Sequence, residues 1–461
     1  MPKALYHTFG CKLNFAETSS VASRWESRGV TRALRGEVPD IIFINTCSVT
    51  GEADKKCRQA VRSYHRKYPQ AAIVLTGCYA QLRSREAASL PGVAVVAGND
   101  RKDRLEQFLD SFLADPAHVT RHEVTPAKDI RSFTPSCSRG DRTRYFLKVQ
   151  DGCDCWCTYC TACSPSSPTP AARGRSRSGT VAQMVAQAQQ AADSGAREIV
   201  ITGVNIGDFG RRQPDALAGA PCETFLDLIK ALDTVEGIAR YRISSIEPDL
   251  LTDEIIEYCA RSRAFMPHFH IPLQCGSDAV LKLMRRRYDT ALFRDKILKI
   301  NSLIPDAFIG IDLICGARGE TAEEFIRSRQ FIESLPITRL HIFPYSERPG
   351  TRALEIAHVV PQEEKHRRVE EMIGVSDRRF LEFARRFTGT VRPVLLEHTR
   401  AGQPMAGFTD NYLKVRIPDA PQSLDNHIAD VRLTEILPFR SNTEVEFLGE
   451  IVNPEHKSLN K

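Results

Sequence analysis

Short apolar runs alternate with longer helical patterns over most of the sequence, and that alternation admits few folds. Lys3 to Thr8 is a strand-like run ending at Gly10-Cys11, followed by a helical pattern from Asn14 to about Arg28. Asp40 to Asn45 reads as a buried strand ending at Thr46-Cys47. Glu52 to Lys67 reads as a charged helix, and Ala72 to Thr76 as a strand ending at Gly77-Cys78. Strands separated by helices pair in parallel. In a parallel sheet the carboxyl ends of the strands share one edge, where ligands bind. Three strands thus deliver Cys11, Cys47 and Cys78 to a common edge, a geometry suited to an iron–sulfur cluster held by three thiolates. The simpler alternative is three independent buried cysteines, which are common in cores. It needs three coincidences of position. Cys57, mid-helix, has no such placement and reads as core.

A second cysteine set lies in Cys153-Asp-Cys-Trp-Cys157-Thr-Tyr-Cys160, directly after the strand-like run Tyr145 to Val149. Only Cys153, Cys157 and Cys160 give a C-x3-C-x2-C spacing. Starting at Cys155 puts Tyr159 where the next thiolate belongs. Three thiolates on a tight loop can hold three irons of a cubane cluster, leaving the fourth iron open to a small molecule. This is the radical S-adenosylmethionine (SAM) pattern, in which the open iron takes the amino and carboxylate groups of SAM. Cys157-x2-Cys160-x2-Cys163 also has spacings that zinc accepts, although no second Cys/His pair at knuckle spacing follows nearby. A disulfide framework suits short secreted chains, not one of 461 residues. Cys155 and Cys163 read as bystanders.

A chain of this length should divide into two or three domains. No apolar run approaches a membrane span, and the N-terminal segment lacks the apolar core of a signal peptide. The expected location is the reducing cytoplasm, with no membrane partner, where unpaired thiolates read as ligands. A net charge of +6 is too mild to argue for nucleic acid by itself. Basic runs at Arg173/Arg175/Arg177, Arg285/Arg286/Arg287 and Lys365/Arg367/Arg368 read as solvated faces unless other observations add to them.

From Tyr145 to about Pro344 strand-like runs again alternate with helical ones, among them Glu198–Thr202, Tyr241–Ser245, His268–Ile271, Phe308–Ile314 and Arg339–Phe343. This fits a partial (β/α) TIM-like barrel with its site at the carboxyl ends of the strands. Polar residues and glycines gather there. Asn205, Ser245, Glu247, Gln274, Asp312 and Gly316 are candidates to hold the ribose and amino-acid ends of SAM. A helix from about Glu363 to Arg386 follows. The strand patterns Val391–Glu397, Tyr412–Ile417, His427–Leu433 and Glu444–Ile451 then suggest a small β-barrel of roughly 65 residues. Phe408, Tyr412, Lys414 and Arg416 could stack on bases and meet phosphates, or be ordinary barrel core and surface.

Thr8-Phe-Gly-Cys-Lys-Leu-Asn14, Asn45-Thr-Cys-Ser-Val-Thr50, Thr76-Gly-Cys-Tyr-Ala80, Val149-Gln-Asp-Gly-Cys153 and Arg173-Gly-Arg-Ser-Arg-Ser178 resemble the signatures of radical-SAM methylthiotransferases, over nearly the whole chain. The resemblance implies an α/β protein in three parts: an N-terminal parallel-sheet domain (1–115), a linker (116–140) to a central radical-SAM barrel (141–385), and a TRAM-like RNA-binding barrel (386–452). It implies two [4Fe–4S] clusters: Cys153, Cys157 and Cys160 ligate the SAM-binding one, and Cys11, Cys47 and Cys78 the auxiliary one that carries the attacking sulfur. One SAM supplies the methyl group and another the radical. Implied partners are the anticodon stem-loop of tRNA and an electron donor such as flavodoxin or ferredoxin.

Gly10-Cys-Lys-Leu-Asn14, Thr202-Gly-Val-Asn-Ile-Gly207 and Phe343-Pro-Tyr-Ser-Glu-Arg-Pro-Gly-Thr351 look most like the threonylcarbamoyladenosine tRNA enzymes. Alternatives are the isopentenyladenosine tRNA enzyme, the branch that modifies a ribosomal-protein aspartate, and, from another class, a non-catalytic iron–sulfur RNA-binding protein or redox sensor. Three departures from the family concern loops. Thr161 to Ala172 is longer and rich in Ser and Pro, Gly316-Ala-Arg-Gly-Glu320 replaces Gly-Phe-Pro-Gly-Glu, and Gln274-Cys-Gly-Ser277 replaces Gln-Ser-Gly-Ser. Cys275 and Cys315 read as small buried replacements.

Overall fold

The computed structural model describes residues 1–115, 121–140, 143–162, 171–211, 222–400 and 402–452. Six parallel strands form the N-terminal sheet: β1 (Lys3–Thr8), β2 (Thr31–Arg32), β3 (Ile41–Thr46), β4 (Ala72–Gly77), β5 (Val93–Ala97) and β6 (Arg121–Glu123), in the order β2-β1-β3-β4-β5-β6. Every residue of β3 is buried, as a strand covered on both faces must be. Trp25, Phe43 and Phe108 pack one face, beneath helix α1 (Lys12–Glu26). Ile42, Ile44, Cys57 and Val61 pack the other, beneath α2 (Gly51–Lys67). Cys57 is therefore core, as its helix position suggests. The edge strand β6 lies in the stretch read as linker; Arg-His-Glu is too short and polar to announce a strand.

The central domain places β7 (Ser136–Cys137) antiparallel to β8 (Arg144–Lys148), while the ribbon β9 (Gln150–Asp151) and β10 (Arg177–Ser178) frames the cysteine loop. Parallel pairing continues from β8 to β11 (Glu198–Thr202) and β12 (Arg240–Ile243). A second parallel sheet holds β13 (His268–Gln274), β14 (Phe308–Cys315) and β15 (Arg339–Pro344). Bridges Tyr241–Phe265 and Ser245–His270 join the two sheets into an open barrel.

After the helix Gln362–Arg385 the chain closes a five-stranded barrel of β16 (Val391–Glu397), β17 (Met405–Thr409), β18 (Lys414–Ile417), β19 (Ile428–Ile436) and β20 (Glu446–Ile451). Strand β17 is absent from the sequence reading because Gly407 interrupts its pattern. A side chain there would stand 2.3 Å from the Leu395 carbonyl oxygen, so the barrel wall requires glycine.

Two junctions fix the domains on one another. Phe15 and Ala16 of α1 enter the mouth of the open barrel and pack on Phe146 and Val200, with the Phe15 and Phe146 rings edge-on at 5.6 Å. At the opposite end, Tyr412 stacks on Phe408, contacts Phe308 and His268, and accepts a hydrogen bond from Arg144 Nη1 at 2.9 Å. Arg240 and Arg242 donate to the carbonyls of Pro393, Phe408, Thr409 and Asp410. Phe408 and Tyr412 are thus a floor beneath the central barrel and not a platform for bases. Lys414 and Arg416 both pair with Glu446.

Candidate functional site

At the edge of the N-terminal sheet, glycines with positive φ aim two of the three cysteines. Gly10 (φ +93°) precedes Cys11, which caps α1 with no hydrogen bond from its side chain. Gly77 (φ +93°) precedes Cys78, the first residue of the short helix α3 (Cys78–Leu82). A Cβ at Gly77 would lie 2.3 Å from the Thr46 carbonyl oxygen, so no other residue lets β3 and β4 end this close together. Burial pushes the Cys47 thiol up to about 11, and the charges of Cys78 and Cys11 add to it. Burial also raises Cys78, while Arg173 opposes the shift and Cys11 reinforces it. A Cβ at Gly10, the residue before Cys11, would lie 3.0 Å from Cys47 Sγ, so these strand ends do converge.

The second set sits in the loop after β9. Gly152 (φ +70°) turns the chain where a side chain would meet the Arg175 carbonyl oxygen at 2.0 Å, and Trp156 (φ 55°) turns it again. Backbone N–H groups of Cys155 and Ala162 donate to Sγ of Cys153 (3.4 Å) and Cys160 (3.3 Å), and Arg286 Nη1 donates to Cys157 Sγ at 3.0 Å. Such bonds favour thiolates and tune a cluster bound by them. Burial still pushes the Cys157 thiol up to about 12, with Arg286 pulling against it. Cys155 shares a hydrogen bond with Cys153. Cys163 lies outside the described residues, as does most of the stretch from 161 to 172. Among the described residues no three His, Cys, Asp or Glu side chains close around a single ion. A cubane needs its thiolates set wider than that.

A buried charge network joins the two cysteine sets. Glu17 of α1 accepts from Arg173 Nη1 (3.0 Å), Lys148 Nζ (2.8 Å) and Lys102 Nζ. Asp151 of β9 pairs with Lys148 (2.8 Å), Arg173 and Arg177 (both 3.2 Å). Burial, the largest influence, would raise the Glu17 carboxyl, yet Arg173, Lys102 and Lys148 hold it far below its ordinary value. Burial lowers Lys102 to about 8 against the pull of Glu17. Arg173 also reaches Asn14 and Cys78, and the next residue, Gly174, gives its carbonyl oxygen to the Cys153 N–H at 3.1 Å.

The basic runs are solvated faces only in part: Arg285, Arg287 and Arg367 are exposed, whereas their neighbours turn inward. Arg173 and Arg177 are buried. Arg286 pairs with Glu247, and Arg368 with Glu320. Lys365 is buried against the Tyr345 ring. Glu17 was detectable as a charge on the apolar face of a helix, but its partners come from residues far along the chain.

A model described as Uncharacterized protein family UPF0004 matches residues 3–98, and one for the Radical SAM superfamily matches residues 147–332. The threonylcarbamoyladenosine tRNA methylthiotransferase MtaB of Bacillus subtilis is 37% identical over 90% of this chain and 90% of its own. The protein of the same name from Thermotoga maritima is 35% identical over 88% of this chain and 89% of its own. The chain belongs to the MtaB family. Among solved structures, the radical S-adenosylmethionine methyltransferase TsrM from Kitasatospora setae shares the fold at a TM-score of 0.51 and 14% identity, covering 75% of each chain.

In this MtaB-family chain the expected SAM contacts divide. Asn205 stands beside the cysteine loop, its Nδ2 3.5 Å from Cys155 Sγ, while its buried Oδ1 has no hydrogen-bond partner. Glu247 pairs with Arg286, and burial pushes its carboxyl up to about 7 against that cation. Both edge the hollow between the cysteine sets. Gln274 (φ +67°) ends β13, Ser245 is exposed, and Asp312 accepts from His270 Nε2 at 2.8 Å. Gly316 differs from expectation: the Lys365 side chain fills its open side, so its lack of a Cβ serves helix packing. Cys275 and Cys315 are buried, as small replacements should be.

Sequence reading passed over Lys12, His270 and His341, which also line the hollow. The His270 and His341 rings lie 4.8 Å apart. At the strand-end rim a groove of about 670 Å³ runs past Thr50, Phe343, Tyr345 and Ser346.

Proposed function

We propose that this chain methylthiolates tRNA, converting N6-threonylcarbamoyladenosine beside the anticodon to its 2-methylthio derivative. The observation that carries the reading is likeness over nine-tenths of the chain to proteins bearing that activity in their names. The relative from Akkermansia muciniphila named for the dimethylallyl nucleoside is more distant, at 28% identity.

Cys153, Cys157 and Cys160 would hold one [4Fe–4S] cluster, and Cys11, Cys47 and Cys78 the other. Soft thiolates with N–H donors on their sulfurs, beside the orphaned Asn205 Oδ1, suit those groups and the polar end of SAM. When bound, the clusters and SAM supply the electron, the radical and the sulfur that replacing an unactivated ring C–H by C–S requires. The protein's own contribution is placement. Helix α1 carries Cys11 into the barrel mouth, and the Glu17–Arg173 network holds it against the Cys153 loop. Asn205, Glu247 and Arg286 are available to orient SAM. Phe15, Phe146 and Val200 keep water from the reacting space. Phe343, 49% exposed beside the rim groove, offers a face on which a flanking base of the anticodon loop can stack. An external electron donor of the flavodoxin or ferredoxin type completes the system.

Nucleoside analysis of tRNA from a deletion strain tests this directly. The methylthio group should vanish from the threonylcarbamoyl nucleoside and return on complementation. Loss from another nucleoside, with this one intact, would refute the substrate. Anaerobic reconstitution that released no 5′-deoxyadenosine would favour a non-catalytic iron–sulfur protein instead.

A further inference from the structure

We propose that Lys12 receives the carboxylate of the substrate's threonylcarbamoyl group and so distinguishes this nucleoside from adenosines with a neutral N6 substituent. The inference rests on the substrate reading above.

Lys12 opens α1 immediately after Cys11. Its side chain is exposed, and it shares a face of α1 with Phe15 and Ala16, three and four residues on, which pack on Phe146 of β8 and Val200 of β11. That face brings it within electrostatic reach of Arg144, Asp312, Tyr412, His268 and His341. Those residues come from β8, β13, β14, β15 and the β17–β18 turn, so the ammonium points into the hollow of the open barrel. No ion pair or hydrogen bond of the Lys12 ammonium occurs among the described residues. The other cations around the hollow are committed: Arg144 to Glu397 and Tyr412, Arg242 to Glu198, Lys148 to Glu17 and Asp151, and Arg339 to Glu444. Asp312, the anion that could compete for Lys12, accepts from His270. A cation that faces the hollow with no counter-ion offers a place for an anion.

The chemistry of the nucleoside supplies that anion. The carbon that takes sulfur and the carbon whose exocyclic nitrogen bears the side chain flank N1 on one edge of the adenine ring. Groups that meet them must come from adjacent places in the protein, as Cys11 and Lys12 do. A carboxylate is also present on SAM, so the test must tell the two sources apart.

Anticodon stem-loop RNAs carrying the threonylcarbamoyl group as free acid or as methyl ester are compared on the iron-loaded protein and on K12Q and K12R. Fluorescence anisotropy gives Kd, and turnover gives kcat/KM. The parent protein should prefer acid over ester by roughly 10- to 100-fold. K12Q should bring the acid down to the ester's level, and K12R should restore part of the preference. A K12Q protein that still prefers the acid overturns the proposal. Equal loss on acid and ester, together with lost SAM cleavage, overturns it in favour of the SAM carboxylate. A parent protein that ignores both RNAs but modifies an isopentenyladenosine RNA refutes the substrate reading itself, a result distinct from either.

Discussion

Arg173 Nη1 lies 3.0 Å from Glu17 Oε1, across the boundary between the N-terminal sheet and the central barrel. Both side chains are buried, one on the helix that Cys11 begins and the other beside the carbonyl that receives the Cys153 N–H. The distance between the two cysteine sets is therefore set by an ion pair more than by the covalent chain between them. Arg173→Met should cost about 3–5 kcal/mol, because Glu17 and Asp151 lose their shared partner. Arg173→Lys should fall between, keeping the charge without the fork. Denaturant titration of the iron-loaded proteins measures both.

Gly77→Ala tests whether strand-end geometry positions Cys78. The added methyl would meet the Thr46 carbonyl oxygen at 2.3 Å and Asn45 Oδ1 at 2.5 Å, in a backbone already at φ +93°. The variant should lose roughly half of its iron and all methylthiolation while still cleaving SAM. Gly402→Ala, with positive φ but open space around it, is the control for backbone strain alone and should keep its iron.

Docking of the C-terminal barrel should be acid-labile. Burial, the largest influence on Glu198, raises its carboxyl, but Arg242 and Arg240 outweigh it and hold the group below its ordinary value. A depressed carboxyl contributes stability that is present above the unfolded-state pKa and is lost as pH falls through the folded-state value. Limited proteolysis near Thr388 should therefore accelerate in acid well below pH 4.5. Glu198→Gln should show fast cleavage already at neutral pH, since Arg242 then holds the Thr409 and Asp410 carbonyls without its own anchor.

Thiol reactivity should sort the cysteines of the iron-free protein. Burial pushes Cys57, Cys137 and Cys259 up to about 12 and raises Cys275 and Cys315 as well. Brief alkylation at pH 7.5, read by mass spectrometry, should label the exposed Cys11 and Cys222 while sparing those five. Fast labelling of Cys275 or Cys315 would place them in the hollow, contrary to the structure.

The sequence carried the strand-end cysteines, the alternation that makes both sheets parallel and the existence of the small barrel. Those signals are local: apolar periodicity, a glycine before a cysteine, a fixed spacing. Partnerships across distance were not legible. Arg173 and Arg286 sit in runs that look like wet surface, and only folding brings Glu17 and Glu247 to them. Phe408 and Tyr412 have the composition of a stacking surface. Their use as mortar between domains depends on Arg144, His268 and Phe308, which lie more than a hundred residues away in sequence. Lys12 was visible only as a letter beside a cysteine.

The Tyr412 floor has a kinetic corollary. A chamber sealed at its base lets visitors in and out by the same rim, so a spent molecule must depart before its successor can arrive. Turnover in such a chamber inherits a queue.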